Sequence, residues 1–389
     1  MTLYIQHGHG KSDKIETALH DGTIGGVVFG ARNEKPERLR AYVNKIREDY
    51  DDCELLLDPQ FYVSTLNPPN DRYLPEYPYY EAGRTVSDFT SARRTRGYAK
   101  DTLDYQVDLG LDSLVSPTVI FDSFSDRWHQ IALNLADASL EHRSGLADPP
   151  PLLLSFVFAE HALAVPDEVN RFLDAVTQDE WNMDGFYLIV ARKESAYNQR
   201  FERQQLANFL YLVYVLGQIN ELRVICGYSD FVGIPLRAAG ATAFATGWSQ
   251  SLRQFHHKSF IKRKPGGQRP RQRYSSAPLF NSIYLSELDD DHVDDVLTGV
   301  PLDGRITSWS TPVSQQHHWQ TLHALDETVS GRVGPDLQNT VEKLREAKRL
   351  YTLLEKAGVQ FDRHTNGDHL REWKRAIDDF QQMAGLTSS

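Results

Sequence analysis

The sequence predicts a (β/α)8 barrel of the TIM type, followed by a helical C-terminal extension. Short apolar segments of β type alternate with longer helical patterns over residues 1–255, the order expected for parallel strands joined by crossover helices. Eight such segments can be counted, and eight parallel strands are the number that closes a barrel. Periodicity does not show whether the first and last strands pair, so a doubly wound open sheet is the alternative.

Several predicted strands are continuous apolar runs, as in strands that are buried on both faces. The eight strands are expected at residues 3–6, 26–30, 54–57, 114–121, 152–158, 185–191, 222–226 and 242–246. Helices are expected at residues 11–20, 35–50, 99–110, 126–141, 166–178, 201–221 and 232–239. Pro36 and Pro166 in first turns, and Gly110 and Gly240 after last turns, support these helix ends.

The chain beyond the barrel divides into two parts of different character. A basic loop and linker are expected over residues 256–314, with one apolar segment at 279–285. Residues 315–389 form the predicted helical extension, with helices at 317–328, 336–357 and 369–383. Apolar residues in the second of these recur at three- and four-residue spacing, which is typical of a helix with one buried face.

Composition excludes several classes of protein. The formal net charge is −11, which argues against a general nucleic-acid coat but leaves room for a local basic patch. No apolar run is long enough to cross a bilayer, and the N-terminus lacks a secretion signal, so we expect a cytoplasmic protein without a membrane partner. The two cysteines, Cys53 and Cys226, lie in or beside apolar runs and are expected to be buried thiols.

The third connection is unusually long, from residue 58 to about residue 99, and it is rich in tyrosine and proline. Loops of this length inside a compact domain are usually lids, binding segments or disordered. The aromatic content argues against disorder. Two interpretations remain open: the loop packs over the barrel mouth for stability, or its tyrosines cover a ligand.

The ends of the predicted strands carry polar residues, and barrel enzymes place their reacting groups there. Asp58 and Asp122 are the predicted acid, base or nucleophile, and Glu160 and Arg192 are predicted to position substrate. Asp230, after the seventh strand, completes the candidate catalytic set. Arg32 follows the second predicted strand, and Tyr228 follows the seventh. Carboxylates gathered in one mouth would perturb each other's pKa values and favour proton transfer or cation binding.

His7 and His9 follow the first strand with one residue between them, so both imidazoles can point at one ion. The pair resembles the metal-binding start of amidohydrolase-type barrels. That resemblance implies a ligand after the fifth strand, which His161 supplies, whereas Arg192 stands where a further histidine is needed. A hydrolase that depends on a divalent metal is therefore one hypothesis, and this metal is the one cofactor that the sequence suggests.

A phosphate site is predicted near the last strand. The segment 224–248 is similar to the strand seven to eight region of phosphate-binding barrels, which implies binding at Gly247 and Trp248, with Arg253 adding charge. Eight Lys or Arg and no Asp or Glu lie between residues 253 and 273, close to aromatic residues on which bases can stack. The cations predicted to hold phosphates or nucleic acid are Lys262, Arg263, Lys264, Arg269, Arg271 and Arg273.

Three functions follow from these patterns. The first is a barrel enzyme that acts on a phosphate-bearing substrate, a nucleotide or nucleic acid above all. The basic segment after the barrel is similar, at the level of fold only, to barrels that exchange or modify nucleobases, but the cysteine-rich zinc site of those proteins is missing. The second is a non-catalytic component that docks onto a protein partner through its basic loop and helical extension. The third is the metal-dependent hydrolase.

Overall fold

The computed structural model describes residues 2–177, 181–193, 200–262, 271–289 and 309–386. Nine strands form the main sheet, and β4 and β5 are two short pieces of the predicted fourth barrel strand. The strands are β1 (Leu3–Gln6), β2 (Gly26–Gly30), β3 (Glu54–Asp58), β4 (Leu114–Val115), β5 (Ile120–Phe121), β6 (Leu152–Ala159), β7 (Gly185–Ala191), β8 (Arg223–Gly227) and β9 (Ala243–Thr246).

The strands close into a nearly complete parallel barrel. β1 pairs in parallel with both β2 and β9, and the order continues from β3 through β2, β1, β9, β8 and β7 to β6, on which β4 and β5 both pair. At the remaining junction, between β3 and β4, Asp112 N donates to Leu55 O at 3.1 Å. The predicted barrel is confirmed, and the open sheet is wrong because the first and last strands pair.

The fourth barrel strand is interrupted where one continuous strand was predicted. Pro117 has no N–H to donate to a ladder. The side chain of Gln106 instead pairs with the backbone of Val115, accepting from its N and donating to its O, both at 2.8 Å. Ser116 Oγ accepts from Ser155 N at 2.8 Å. Side chains therefore supply hydrogen bonds beside the interruption.

Helices follow the strands in the predicted order. They are α1 (Lys14–His20), α2 (Pro36–Asp49), α3 (Ala92–Leu109), α4 (Arg127–Ser144), α5 (Pro166–Val176), α6 (Arg203–Tyr214), α7 (Gly233–Ala238) and the short α8 (Gln250–Arg253). Two bounds differ substantially from the prediction. α3 begins seven residues before the predicted residue 99, and α6 ends at Tyr214, followed by a wider π turn over Val215–Ile219.

After the barrel, the apolar segment predicted at 279–285 is part of an antiparallel hairpin, β10 (Arg273–Ser276) with β11 (Asn281–Tyr284). The helical extension is confirmed as α9 (Thr311–Asp326), α10 (Val333–Ala357) and α11 (Asp368–Met383). These helices pack on the barrel, α9 against α1, α10 against α7 and α11 against α6. Within the described residues, no helix combines the length and the apolar character that a membrane span requires. The domain boundaries remain predictions.

The long third connection is packed rather than extended. Tyr62, Tyr77, Tyr79 and Tyr80 are all buried, and three short 3-10 turns shape the loop. Tyr79 Oη donates to Pro59 O at 3.1 Å, and Tyr77 Oη donates to Glu34 O at 2.9 Å. These tyrosines hold the loop against the barrel, as the stability interpretation predicted.

Candidate active site

A cavity of about 590 Å³ opens at the carboxyl ends of β1, β2, β3, β8 and β9, and we call it the mouth pocket. Its volume falls in the range of small-molecule sites. The lining residues are His9, Gly10, Lys14, Arg32, Asn33, Gln60, Arg72, Tyr228, Trp248, Ser249, Ser251, Leu252, Ser259, Phe260, Thr311, Pro312 and Gln315.

Two loops meet beside the mouth pocket. In one direction, Asn70 N in the third connection donates to Phe260 O at 2.7 Å. In the other, Lys262 N donates to Pro68 O at 3.0 Å, which completes a short antiparallel bridge between the third connection and the segment after α8. This contact brings Arg72 and Phe260, which are far apart in sequence, to the same pocket. The third connection therefore both packs for stability and lines the pocket.

The mouth pocket is lined by cations without carboxylates. Lys14, Arg32 and Arg72 lie in its wall, and none of the described lining residues is Asp or Glu. Arg32 is only 8% exposed, and its Nε has no hydrogen-bond partner among the residues described. Burial and the nearby Arg72 lower the pKa of Arg32 to about 10. Two neighbouring guanidinium groups, one of them buried with a free donor, favour an anion as the missing partner.

A buried carboxyl group lies directly behind the pocket. Asp58 is 1% exposed, and its Oδ2 accepts from Tyr62 Oη at 2.9 Å and from Tyr228 Oη at 3.3 Å. Its Oδ1 accepts from Gln60 N at 3.0 Å. Burial raises the pKa of Asp58 to about 7, against the opposing effect of these hydrogen bonds. Asp58 therefore changes its protonation state close to neutral pH, as a general acid or base requires.

Backbone conformation places two of the groups around Asp58. Gln60 and Tyr228 have φ angles of 52° and 53°, in the left-handed region that L residues seldom adopt. Both side chains line the mouth pocket, and Gln60 Nε2 lies 3.4 Å from Tyr228 Oη. Such conformations persist only where the surrounding structure holds them, and they are frequent at functional sites.

The hydrogen bond from Tyr62 gives a test of the environment of Asp58. Tyr62→Phe removes a donor that favours the ionised carboxylate, so the pKa of Asp58 should rise by about one unit. Titration of labelled Asp carboxyl groups by 13C NMR measures this, with Asp58→Asn to assign the signal. Tyr211→Phe, on α6, serves as the control and should leave the midpoint in place. A midpoint that stays or falls in Tyr62→Phe would contradict the assignment.

Two predicted catalytic residues meet in a different pocket. Glu160 Oε2 accepts from Arg192 Nε at 2.6 Å, and the Arg192 guanidinium lies 3.5 Å from the centre of the Phe201 ring. This pair lines a second cavity of about 750 Å³ between the ends of β6 and β7 and the first turn of α11. Phe255 lies between the two cavities. Its backbone O accepts a hydrogen bond from the backbone N of Arg192, which lines the second cavity, and its ring packs on Tyr228, which lines the mouth pocket. The structure does not place Glu160 and Arg192 beside Asp58.

The other two predicted carboxylates also lie outside the mouth pocket lining. Asp122 is exposed over 80% of its side chain, and its nearest ionic neighbour is His161 at 3.9 Å. Asp230 is buried, with its Oδ1 3.2 Å from Nε2 of His318 on α9. His318 Nδ1 lies 2.8 Å from Ser275 Oγ. Asp230 therefore links the barrel to the extension, and one shared mouth for all the carboxylates is wrong.

The predicted metal ligands are not assembled. His7 is fully buried, accepts from Gly30 N through Nδ1 at 3.4 Å and lies 3.8 Å from Glu34, and burial lowers its pKa. His9 lines the mouth pocket, whereas His161 lies near Asp122. Across the described ranges, no three His, Cys, Asp or Glu side chains are grouped so as to hold a metal ion. Side chains two residues apart on a strand point in the same direction. The chain turns after His7, so this rule does not bring His7 and His9 together.

The predicted phosphate residues near the last strand have structural partners. Gly247 N donates to Leu252 O at 3.1 Å, and a Cβ on Gly247 would come within 2.6 Å of Gln6 O, so close backbone packing explains this glycine. Arg253 is 6% exposed and donates through Nε to Gly247 O. Trp248 does line the mouth pocket, and its Nε1 donates to His9 O.

The basic loop is described only in part. Lys262 is exposed beside the bridge to Pro68, and Arg271 stacks on Tyr284 at 5.1 Å. Arg273 is 5% exposed and donates to Ser282 O at 2.8 Å, so it has a structural partner, and its contact with phosphate or nucleic acid remains a prediction. Arg263, Lys264 and Arg269 lie outside the described residues.

Comparisons with known proteins do not assign the chain to a family. No protein-family model matches the chain, and no curated protein matches it. Solved structures similar to the chain include a dihydrodipicolinate synthase from Oceanobacillus iheyensis, with 10% identity over 99% of this chain and 97% of that one, at a TM-score of 0.33. A Bacillus clausii dihydrodipicolinate synthase has 13% identity over 99% and 98%, at 0.32. A Paenibacillus family 3 β-N-acetylglucosaminidase has 11% identity over 98% of this chain and 67% of that one, at 0.41. Similarity at this level does not indicate a function, and the order of the strands establishes the barrel.

Proposed function

We propose that the chain is an enzyme that performs acid–base chemistry on a small phosphate-bearing substrate in the mouth pocket. The observation that carries the proposal is a pocket with three cations and no described carboxylate in its wall, directly in front of a buried Asp58 whose pKa is about 7. The cations supply attraction for the substrate phosphate, and Asp58 supplies a group that can gain or lose a proton near neutral pH.

The proton passes through Tyr228. Asp58 is almost fully buried and does not line the pocket, whereas Tyr228 lines the pocket and its Oη contacts Asp58 Oδ2. When Asp58 is protonated, Tyr228 gives its hydroxyl proton to the substrate and takes the proton of Asp58, which becomes a carboxylate. In the reverse direction, Tyr228 accepts the substrate proton and passes its own to Asp58. The tyrosine is neutral before and after each transfer, because its pKa is raised far above neutrality by burial.

Phosphate binding tests the anion part of the proposal. Arg32→Gln and Arg72→Gln should each raise the dissociation constant for inorganic phosphate by about ten-fold, since one charge-assisted hydrogen bond is worth roughly 1.5 kcal/mol or more. Isothermal titration calorimetry measures the constants. Arg345→Gln, at an exposed position on α10, is the matched control and should leave the affinity unchanged. If the original chain and the three variants bound phosphate with equal affinity, the mouth pocket would not be the anion site.

The alternative functions remain predictions. A nucleic-acid substrate depends on the cations between residues 253 and 273, of which Arg253 and Arg273 are buried in structural contacts. Docking onto a protein partner depends on the basic loop and on the helical extension. Among the described residues we find no specific observation that favours either over the mouth pocket.

A further inference from the structure

The mouth pocket contains neutral hydrogen-bonding groups in addition to its cations. Three side-chain amides and four side-chain hydroxyl groups of Ser or Thr line it. Asn33 makes no side-chain hydrogen bond with any described residue. Gln315 donates through Nε2 to Trp248 O at 3.3 Å, but its Oε1 is buried without a partner among the residues described. The wall therefore contains an amide and a buried acceptor that have no hydrogen-bond partner among the residues described.

The three large aromatic rings of the pocket, those of Phe260, Trp248 and Tyr228, are covered by other side chains. Phe260 is 4% exposed. Its ring stacks on the Phe255 ring with the centroids 5.1 Å apart, and the Arg32 guanidinium lies over it, 4.7 Å from its centroid. Trp248 is 6% exposed, with Lys14 over its ring at 5.7 Å. Tyr228 is 5% exposed and packs edge-on against Phe255. Recognition of a nucleobase normally uses an accessible aromatic face, which these three residues do not present.

We infer that the substrate is a phosphorylated polyhydroxy compound, such as a sugar phosphate, and not a nucleotide. This inference depends on the proposed function, because it assumes that the cations hold the phosphate. Ligand hydroxyl groups donate to acceptors such as Gln315 Oε1 and accept from donors such as Asn33 Nδ2, which satisfies polar groups that are otherwise unpaired. A site built in this way rejects ligands that lack the hydroxyl groups.

Calorimetry with three ligands tests the inference on the full chain. The ligands are inorganic phosphate, ribose 5-phosphate and a nucleoside 5′-monophosphate, in which a base replaces the anomeric hydroxyl group of the same sugar phosphate. Ribose 5-phosphate should bind at least about ten-fold more tightly than inorganic phosphate, because its hydroxyl groups gain one or more hydrogen bonds. The nucleotide should bind no more tightly than ribose 5-phosphate.

A variant identifies the groups responsible. Asn33→Ala should weaken binding of ribose 5-phosphate several-fold and leave the dissociation constant of inorganic phosphate unchanged. Asn134→Ala, which removes an exposed amide on α4, is the control, and thermal unfolding checks that both variants fold. If inorganic phosphate binds but ribose 5-phosphate gains nothing, or the nucleotide binds ten-fold more tightly, the inference is wrong and the proposed function stands. If none of the three ligands binds, the proposed function fails with it.

Discussion

Asp58→Asn is expected to reduce turnover by about 10²- to 10⁴-fold at pH 7, the usual contribution of a general acid or base. The amide cannot exchange a proton with Tyr228, so the path between the pocket and Asp58 is lost. Inorganic phosphate should still bind within about two-fold of the original affinity, because Arg32 and Arg72 remain. Reaction of the proposed phosphate-bearing substrate is followed by 1H NMR in D2O, which reports both conversion and exchange of substrate protons.

Asp122→Asn is the matched control for this substitution. Asp122 also follows a barrel strand, but its side chain is 80% exposed and lies outside the mouth pocket lining. Its replacement should leave turnover within about two-fold, as expected for a surface change away from the site. Equal losses in the two variants, or full turnover in Asp58→Asn, would show that Asp58 does not take part in proton transfer.

Asp58 should also make the stability of the protein depend on pH. Its pKa is about 7 in the folded chain and 3.8 in an ordinary environment, so the unfolded chain loses this proton first as the pH rises. The contribution of Asp58 to stability is fully present below pH 3.8 and is lost as the pH rises through 7. The difference corresponds to roughly 4 kcal/mol. The free energy of unfolding of Asp58→Asn, compared with that of the original chain at the same pH, should therefore increase by roughly 4 kcal/mol between pH 4 and pH 8.

Urea denaturation at several pH values measures the change. The comparison uses the difference between the variant and the original chain, because other titrating groups cancel in it. In Asp122→Asn this difference should stay nearly constant with pH. A constant difference for Asp58→Asn as well would mean that the carboxyl group is ionised in the folded chain at all these pH values, and the acid–base proposal would lose its basis.

Much of the fold can be predicted from the sequence because the barrel strands are apolar runs. The first strand of the hairpin, β10, escapes this pattern, since its sequence, Arg-Tyr-Ser-Ser, is mostly polar although it is buried, whereas β11 lies within the predicted apolar segment 279–285. Their polar groups are paired with each other and with α9, as in the contact of Ser275 with His318. Such pairing depends on tertiary contacts that local patterns do not contain.

The site is harder to predict than the fold. The rule that reacting groups follow barrel strands finds Asp58, Arg32 and Tyr228, and the structure brings all three to one side of the mouth. The rule fails for Asp122 and Glu160, because a position after a strand does not fix the direction of its side chain. Arg72 was missed because it lies within the long third connection, and only the bridge between Pro69 and Ile261 reveals its place. The proline and tyrosine content of that loop was the available signal.

A crystal structure of the chain soaked with inorganic phosphate tests the central claim most directly. We expect phosphate density in the mouth pocket, in hydrogen-bonding contact with the guanidinium groups of Arg32 and Arg72 and beside Tyr228. Phosphate bound only elsewhere, for example along the basic loop, with the mouth pocket holding none at concentrations that saturate binding in solution, would contradict it.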